Sequence, residues 1–169
     1  IFGQVSKNAS TGTGIIYSSD GYILTNYHVI ESGATYTVTL YNGTSYKAEL
    51  VGHEASNDVA LLKIDATGLF GAIMGDSDNI CVGEDIIVIG NPLGELTYTL
   101  TRGVVSALNR VINTDANPKN MFQIDAAVNS GNSGGPAFDA YGRVIGIVTA
   151  KYSASTVEAA TRVCPIVSS

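Results

Sequence analysis

With 169 residues the chain is long enough for one compact unit with a sizeable core, and charged residues make up only 14% of it, against about a quarter in an average protein. Its net charge of −6 argues against nucleic acid as a partner, because phosphate binding needs a basic face. The longest apolar runs, such as residues 86–90, are far too short to form a membrane segment, and two histidines with two separated cysteines, Cys81 and Cys164, make no metal-binding constellation, so no metal or organic cofactor is expected.

Gly, Ser, Thr, Val, Ile and Tyr take the place of the missing charges, a mixture that favours short strands joined by tight turns. Strands are predicted over 14–17 and 22–25, separated by the turn Ser18-Ser19-Asp20-Gly21. Residues 35–41 and 44–50 flank Asn42-Gly43, a strong short-range hairpin signal. A buried strand is predicted over 59–64. The stretch 68–78 is rich in Gly and turn formers and marks a boundary: residues 1–68 form one domain, 69–78 a linker and 79–169 a second domain. Further strands are predicted over 85–89, 97–108, 121–124, 143–149 and 159–163. No period of about 20–50 residues repeats and no segment carries a helical stripe, which leaves an all-β barrel or sandwich. The chain opens at Ile1 without a signal peptide and reads as a mature or trimmed piece. Whether Cys81 and Cys164 pair stays open, because a disulfide depends on geometry that spacing does not supply.

The segment richest in chemistry is Asn129-Ser130-Gly131-Asn132-Ser133-Gly134-Gly135-Pro136. Its plainest reading is a surface turn. A hydrolytic serine, however, must stand on a tight turn whose neighbouring amides converge to hold an oxyanion, and glycine permits that backbone. Ser133 is the candidate nucleophile, and the amides of Gly131 and Ser133 are the candidate donors. A serine hydroxyl needs a base. His28 sits in Thr25-Asn26-Tyr27-His28-Val29-Ile30, at the end of a strand, and His53 in the polar loop Gly52-His53-Glu54; neither decides by itself. A carboxylate must hold the imidazole tautomer. Asp58, at the mouth of the apolar run Val59-Ala60-Leu61-Leu62, fits that role and equally fits a strand cap.

Taken in the order His, Asp, Ser, the segments TNYHVI, NDVALLKI and GNSGGP resemble the chymotrypsin family and, within it, the HtrA (DegP/DegS-like) bacterial proteases. The frame is similar too: GTGIIYSSDGY ahead of the histidine, Gly75-Asp76-Ser77-Asp78 and Gly90-Asn91-Pro92-Leu93-Gly94 between the barrels, and Thr101-Arg102-Gly103-Val104-Val105-Ser106 at the start of a second-barrel hairpin. The resemblance implies two perpendicular six-stranded antiparallel β-barrels with the active site in the cleft between them. It implies His28 as base, Asp58 as its orienting group, Ser133 as nucleophile, and Gly131 with Ser133 as the oxyanion hole. The pocket floor falls at Ala127, with Val128 beside it, an uncharged lining suited to a small or medium aliphatic P1 side chain. Thr149, Ala150 and Lys151 fall on the strand that pairs with bound peptide. Substrates would be unfolded proteins or peptides, met in a periplasm or at a bacterial cell surface. HtrA proteases often form homotrimers through their N-terminal segment; Phe2 lies in that region, and trimming there would remove the contact.

The chain also departs from the family pattern. The strand that starts the first barrel reads as short or missing, and no PDZ domain follows. Thr161-Arg162-Val163-Cys164 resembles the closing strand of animal trypsins rather than the Gly-rich strand of the HtrA group, and Glu158 on it would favour Lys or Arg at P1. Asn132 stands where trypsins have the Asp that pairs with a new N-terminal ammonium. It has no charge to pair, so Ile1 is not expected to be an activating terminus, and neighbouring loops are expected to set residues 129–133. Two alternatives stand beside the HtrA-type peptidase. One is a protease-like scaffold that binds peptides. The other is a trypsin-like protease outside the HtrA group, such as a glutamyl enzyme, whose acid-binding pocket neither Ala127 nor Val128 supplies.

Overall fold

The computed structural model describes residues 2–7, 10–33, 35–91, 98–114, 117–149 and 158–162. The first barrel comprises β1 (Phe2–Lys7), β2 (Ser10–Ile16), β3 (Tyr22–Thr25), β4 (Tyr36–Leu40), β5 (Ser45–Glu54) and β6 (Val59–Ile64). It closes in the order β1-β2-β3-β6-β5-β4. The second comprises β7 (Asp85–Gly90), β8 (Thr99–Thr114), β9 (Asn117–Ile124), β10 (Pro136–Phe138), β11 (Val144–Thr149) and β12 (Glu158–Arg162). It closes in the order β10-β11-β12-β9-β8-β7. The barrel pairings are antiparallel. Among the described strands, closure leaves each one paired on both sides.

Alternation sets which side chains fill each barrel. Along β6, Ala60, Leu62 and Ile64 are buried while Val59, Leu61 and Lys63 are half-buried. The first core gathers Ile23, Ile30, Val38, Leu62 and Ile64, and the second Ile86, Val105, Phe122, Ile124 and Ile145. A third cluster crosses between them: Ile15 of β2 and Leu24 of β3 pack with Phe138 of β10 and with Val144 and Ile147 of β11. Each such side chain contributes about 1.5–3 kcal/mol when fully buried, so this cluster fastens the faces that carry the site. The segment between the barrels touches both: the Ala72 amide donates to the Ile16 carbonyl at 2.8 Å, and the Gly75 amide to the Val144 carbonyl at 2.8 Å.

Three expectations are corrected. The first strand is present: β1 pairs with β2 from Phe2↔Ile15 to Lys7↔Ser10 and with β4 from Gly3↔Leu40 to Ser6↔Thr37. Ladder bonds on both edges hold it, which its mixed polar sequence does not advertise. His28 does not end a strand; it lies in a four-residue helical turn, α1 (Tyr27–Ile30), directly after β3. His53 lies on β5, paired with Ala60, and not in a loop. The Asn42-Gly43 hairpin is as expected, with Gly43 at φ +83° and the Thr44 amide donating to Asn42 Oδ1 at 3.0 Å. Cys81 is exposed, and Cys164 lies outside the described residues. Among the described residues no helix is long and apolar enough to cross a membrane.

Candidate active site

Asp58 ends the turn between β5 and β6 with φ +57°, the left-handed region that Asp tolerates better than most residues. That backbone lets the residue serve the segment 26–28 from both ends. Its carbonyl accepts from the Tyr27 amide at 3.1 Å and from Asn26 Nδ2 at 2.9 Å. Its carboxylate accepts from the His28 amide at Oδ1, 2.9 Å, and faces His28 Nδ1 with Oδ2 at 2.7 Å. An ionised carboxylate only accepts, so Nδ1 holds the proton and Nε2 is left as the acceptor. The Asp58 side chain is 3% exposed and that of His28 16%, so the pair is dry at the carboxylate and open at the imidazole. The other histidine, His53, is exposed and stacks on Tyr27, with ring centroids 4.4 Å apart and an interplanar angle of 11°.

The serine turn is built by the second barrel. A 3₁₀ turn, Ser130–Asn132, runs straight into Ser133, with the Asn132 amide donating to the Asn129 carbonyl at 2.8 Å and the Gly135 amide to the Asn132 carbonyl at 2.9 Å. Two bonds lace it to β11: the Gly134 amide to the Val148 carbonyl and the Val148 amide to the Gly135 carbonyl, both 2.9 Å. Gly134 has φ +84°, and a Cβ there would fall 2.1 Å from the Thr13 carbonyl oxygen and 2.2 Å from Thr25 Oγ1. Only glycine fits. Its contact with Thr25 and Asn26 brings the turn against the residues that lead into His28. Asn132 is buried against Gly90, where a Cβ would meet its Oδ1 at 2.3 Å, and that oxygen has no hydrogen-bond partner among the described residues. Ser133 itself is 3% exposed, at the junction of the two barrels.

The expected binding residues are placed as follows. Ala127 is exposed, its carbonyl accepting from Thr101 Oγ1 at 2.9 Å, and Val128 beside it is buried. Thr149 ends β11, paired with Ala159, and its Oγ1 accepts from Asn26 Nδ2 at 3.2 Å. Ala150 and Lys151 lie outside the described residues. Glu158 heads β12 opposite Ile124, and its side chain is outside the description. Three residues of the site had no role assigned from sequence: Thr13, Thr25 and Asn26. Thr25-Asn26 sits inside the histidine motif and Thr13 inside the Gly-rich segment before it, but a Thr in a strand or an Asn at its end carries no signal of what it holds.

Two closed β-barrels, with a histidine clasped by an aspartate on one and a glycine-framed serine turn on the other packed against Thr25 and Asn26, have the architecture of the chymotrypsin-like peptidases. Residues 12–147 match the trypsin-like peptidase domain. A probable periplasmic serine endoprotease, DegP-like, of Brucella suis is 48% identical over 152 residues, covering 88% of this chain and 29% of its own length. The serine protease Do-like HtrB of Bacillus subtilis is 45% identical over 178 residues, covering 92% and 39%. Among solved structures, the HtrA-type protease AlgW with tripeptide aligns with TM-score 0.86 at 36% identity over 95% of this chain and 56% of its own. Deg5 aligns with TM-score 0.80 at 36% identity, over 95% and 82%. The chain belongs to the trypsin-like peptidase domain family, among its HtrA-type proteases. It spans about a third of the length of these curated relatives.

Proposed function

We propose that this chain is the protease domain of a serine endopeptidase that cleaves unfolded extracytoplasmic proteins through an acyl-enzyme. The observation that carries the reading is the doubly bonded His28–Asp58 pair, with Nδ1 2.7 Å from one carboxylate oxygen and the His28 amide 2.9 Å from the other. In the first half-reaction Ser133 Oγ attacks the scissile carbonyl carbon while His28 Nε2 takes the hydroxyl proton. Asp58 stabilises the imidazolium and leaves the proton there. The amides of Gly131 and Ser133 donate to the tetrahedral oxyanion, each worth about 3 kcal/mol by analogy with measured cases. The C–N bond then breaks as His28 gives its proton to the leaving amine. Water, deprotonated by the same imidazole, attacks the ester and restores Ser133.

The substrate adds as a strand along Thr149, Ala150 and Lys151, and Ala127 with Val128 forms the uncharged P1 pocket. On this reading residues 1–68 and 79–169 are the two barrel domains, joined by the linker 69–78. The names of the relatives support a periplasmic location; the reading extends to a bacterial cell surface and, through the N-terminal segment around Phe2, to a homotrimer. Incubation with casein, with fragments identified by mass spectrometry, tests the reading. Cuts after Val, Ala or Ile by the wild type and none by Ser133→Ala are expected. Cuts after Lys or Arg would hand the pocket to Glu158. A wild type that neither cuts nor takes a fluorophosphonate label would be a peptide-binding scaffold instead.

A further inference from the structure

One buried residue of the first barrel touches the serine turn at two points. Thr13, on β2, is 0% exposed. Its amide donates to the Ser133 carbonyl at 2.8 Å. Its hydroxyl donates to the Gly131 carbonyl at 2.8 Å and accepts from the Asn91 amide at 3.0 Å. Its own carbonyl accepts from Thr25 Oγ1 at 2.8 Å. The two residues proposed above as oxyanion donors therefore have both their carbonyls held by the same threonine.

The geometry points to Thr13 as a positioning residue for the oxyanion-binding turn, an inference that rests on the peptidase reading. The Gly131 carbonyl belongs to the Gly131–Asn132 peptide plane and the Ser133 carbonyl to the Ser133–Gly134 plane. Between them lies the plane that carries the Ser133 N–H, bracketed by two planes that Thr13 holds. The Gly131 N–H lies in the preceding Ser130–Gly131 plane, which meets the held plane at the Gly131 Cα; glycine torsions are permissive there, so Thr13 anchors one side of that hinge and bears on this donor less directly than on the Ser133 N–H. The hydroxyl is indispensable, because it is the acceptor for Asn91 and the donor to Gly131 at once. Without it two buried backbone groups lose their partner, and the turn rotates to find others. The methyl matters less; it lies 3.2 Å from where a Cβ on Gly135 would stand.

Thr13→Val removes the hydroxyl and keeps the β-branched shape, and Thr13→Ser does the reverse. On a peptide that the wild type cleaves, Thr13→Val is expected to lower kcat about 10- to 100-fold at nearly constant KM, short of the roughly 10²–10³-fold lost with an oxyanion donor itself. Thr13→Ser should recover kcat to within about threefold. A merely structural role would lower the melting temperature and leave kcat per folded molecule unchanged. Amide exchange by NMR gives a readout independent of turnover: the Gly131 and Ser133 amides should exchange about tenfold faster in Thr13→Val and not in Thr13→Ser. Thr13→Ala, which leaves room for water, is the second hydroxyl-free variant. An active wild type whose hydroxyl-free variants keep both kcat and amide protection overturns the role of Thr13. So does the failure of both hydroxyl-free variants to fold, which would make the residue structural. An inactive wild type with loosened amides in Thr13→Val sinks the peptidase reading and leaves the positioning intact.

Discussion

Asp58 combines three functions in one residue: a left-handed backbone, a carbonyl that anchors Asn26 and Tyr27, and a carboxylate that grips His28 twice. Asp58→Asn separates them. Asn tolerates the same φ, and its side-chain oxygen still accepts from the His28 amide, so the fold is expected to stand. Its NH₂ cannot accept from Nδ1, which forces the wrong tautomer, and kcat should fall by about 10⁴. Circular dichroism melting with peptidase kinetics reads both halves, and a kcat within tenfold of wild type would remove Asp58 from the proposed mechanism. His28→Ala should silence the enzyme. His53→Ala loses only an exposed stack on Tyr27, worth about 0.5–1.5 kcal/mol, and should leave hydrolysis near wild type; equal damage from the two would undo the choice of base. The pairing of His28 with Asp58 was expected from the three segments taken in order, since neither residue's own string decides its role. The handedness of Asp58 was not, since φ depends on a turn whose closure involves residues on two strands.

Between the elements, the turns decide whether the site forms. Gly134 and Gly43 share nearly the same φ, +84° and +83°, but a Cβ meets backbone at 2.1 Å in one and nothing within 4 Å in the other. Gly43→Ala should therefore cost only the left-handed strain, about 1–2 kcal/mol. Gly134→Ala should cost that plus a clash with the Thr13 carbonyl, about 3 kcal/mol or more. Urea denaturation of both variants is the comparison, and equal losses would mean that Gly134 is not pinned as described. The turn that presents Asp58 also has a titratable brace. Ser56 donates to Glu54 Oε1 through its hydroxyl at 2.5 Å and its amide at 3.0 Å, and these bonds, the hydroxyl first, lower the Glu54 pKa. A lowered carboxylate pKa gives stability that is present above the unfolded value and lost as pH falls through the folded one. NMR titration should find Glu54 below the ordinary glutamate midpoint, moving back toward it in Ser56→Ala. Strands with alternation or an Asn-Gly turn were readable from sequence. Strand β10 was not, because Pro136-Ala137-Phe138 is short and hidden behind the serine motif. Nor were the far ends of β8 and β9, where Asn113 and Pro118 read as loop but pair across a long hairpin, and where Asn109, at φ +53°, falls in the bulge between Ala107 and Arg110.

At the scale of the molecule, the cluster of Ile15, Leu24, Phe138, Val144 and Ile147 packs side chains of both barrels together, and the two, once both are formed, are expected to unfold together. Phe138→Ala should cost about 3–5 kcal/mol, and hydrogen exchange should quicken in peptides of both barrels together; protection that survives in the first barrel alone would show two independent units. Asn132 adds a second test. It is buried against Gly90 without a charge to offer an ammonium, and an unpaired buried charge is costly. One residue added ahead of Ile1 should then leave peptidase activity within a few-fold, whereas its abolition with the fold intact would restore a trypsin-type activation. The division of the site between barrels also bears on biosynthesis. The histidine and its aspartate come together on the first barrel, while the proposed nucleophile is supplied by the later barrel, its turn tied to Thr13. Chains grow from the N-terminus and fold unit by unit. On the proposed mechanism, a growing chain would hold its base before it holds a nucleophile for that base to activate, and the two would meet only when the last strands close.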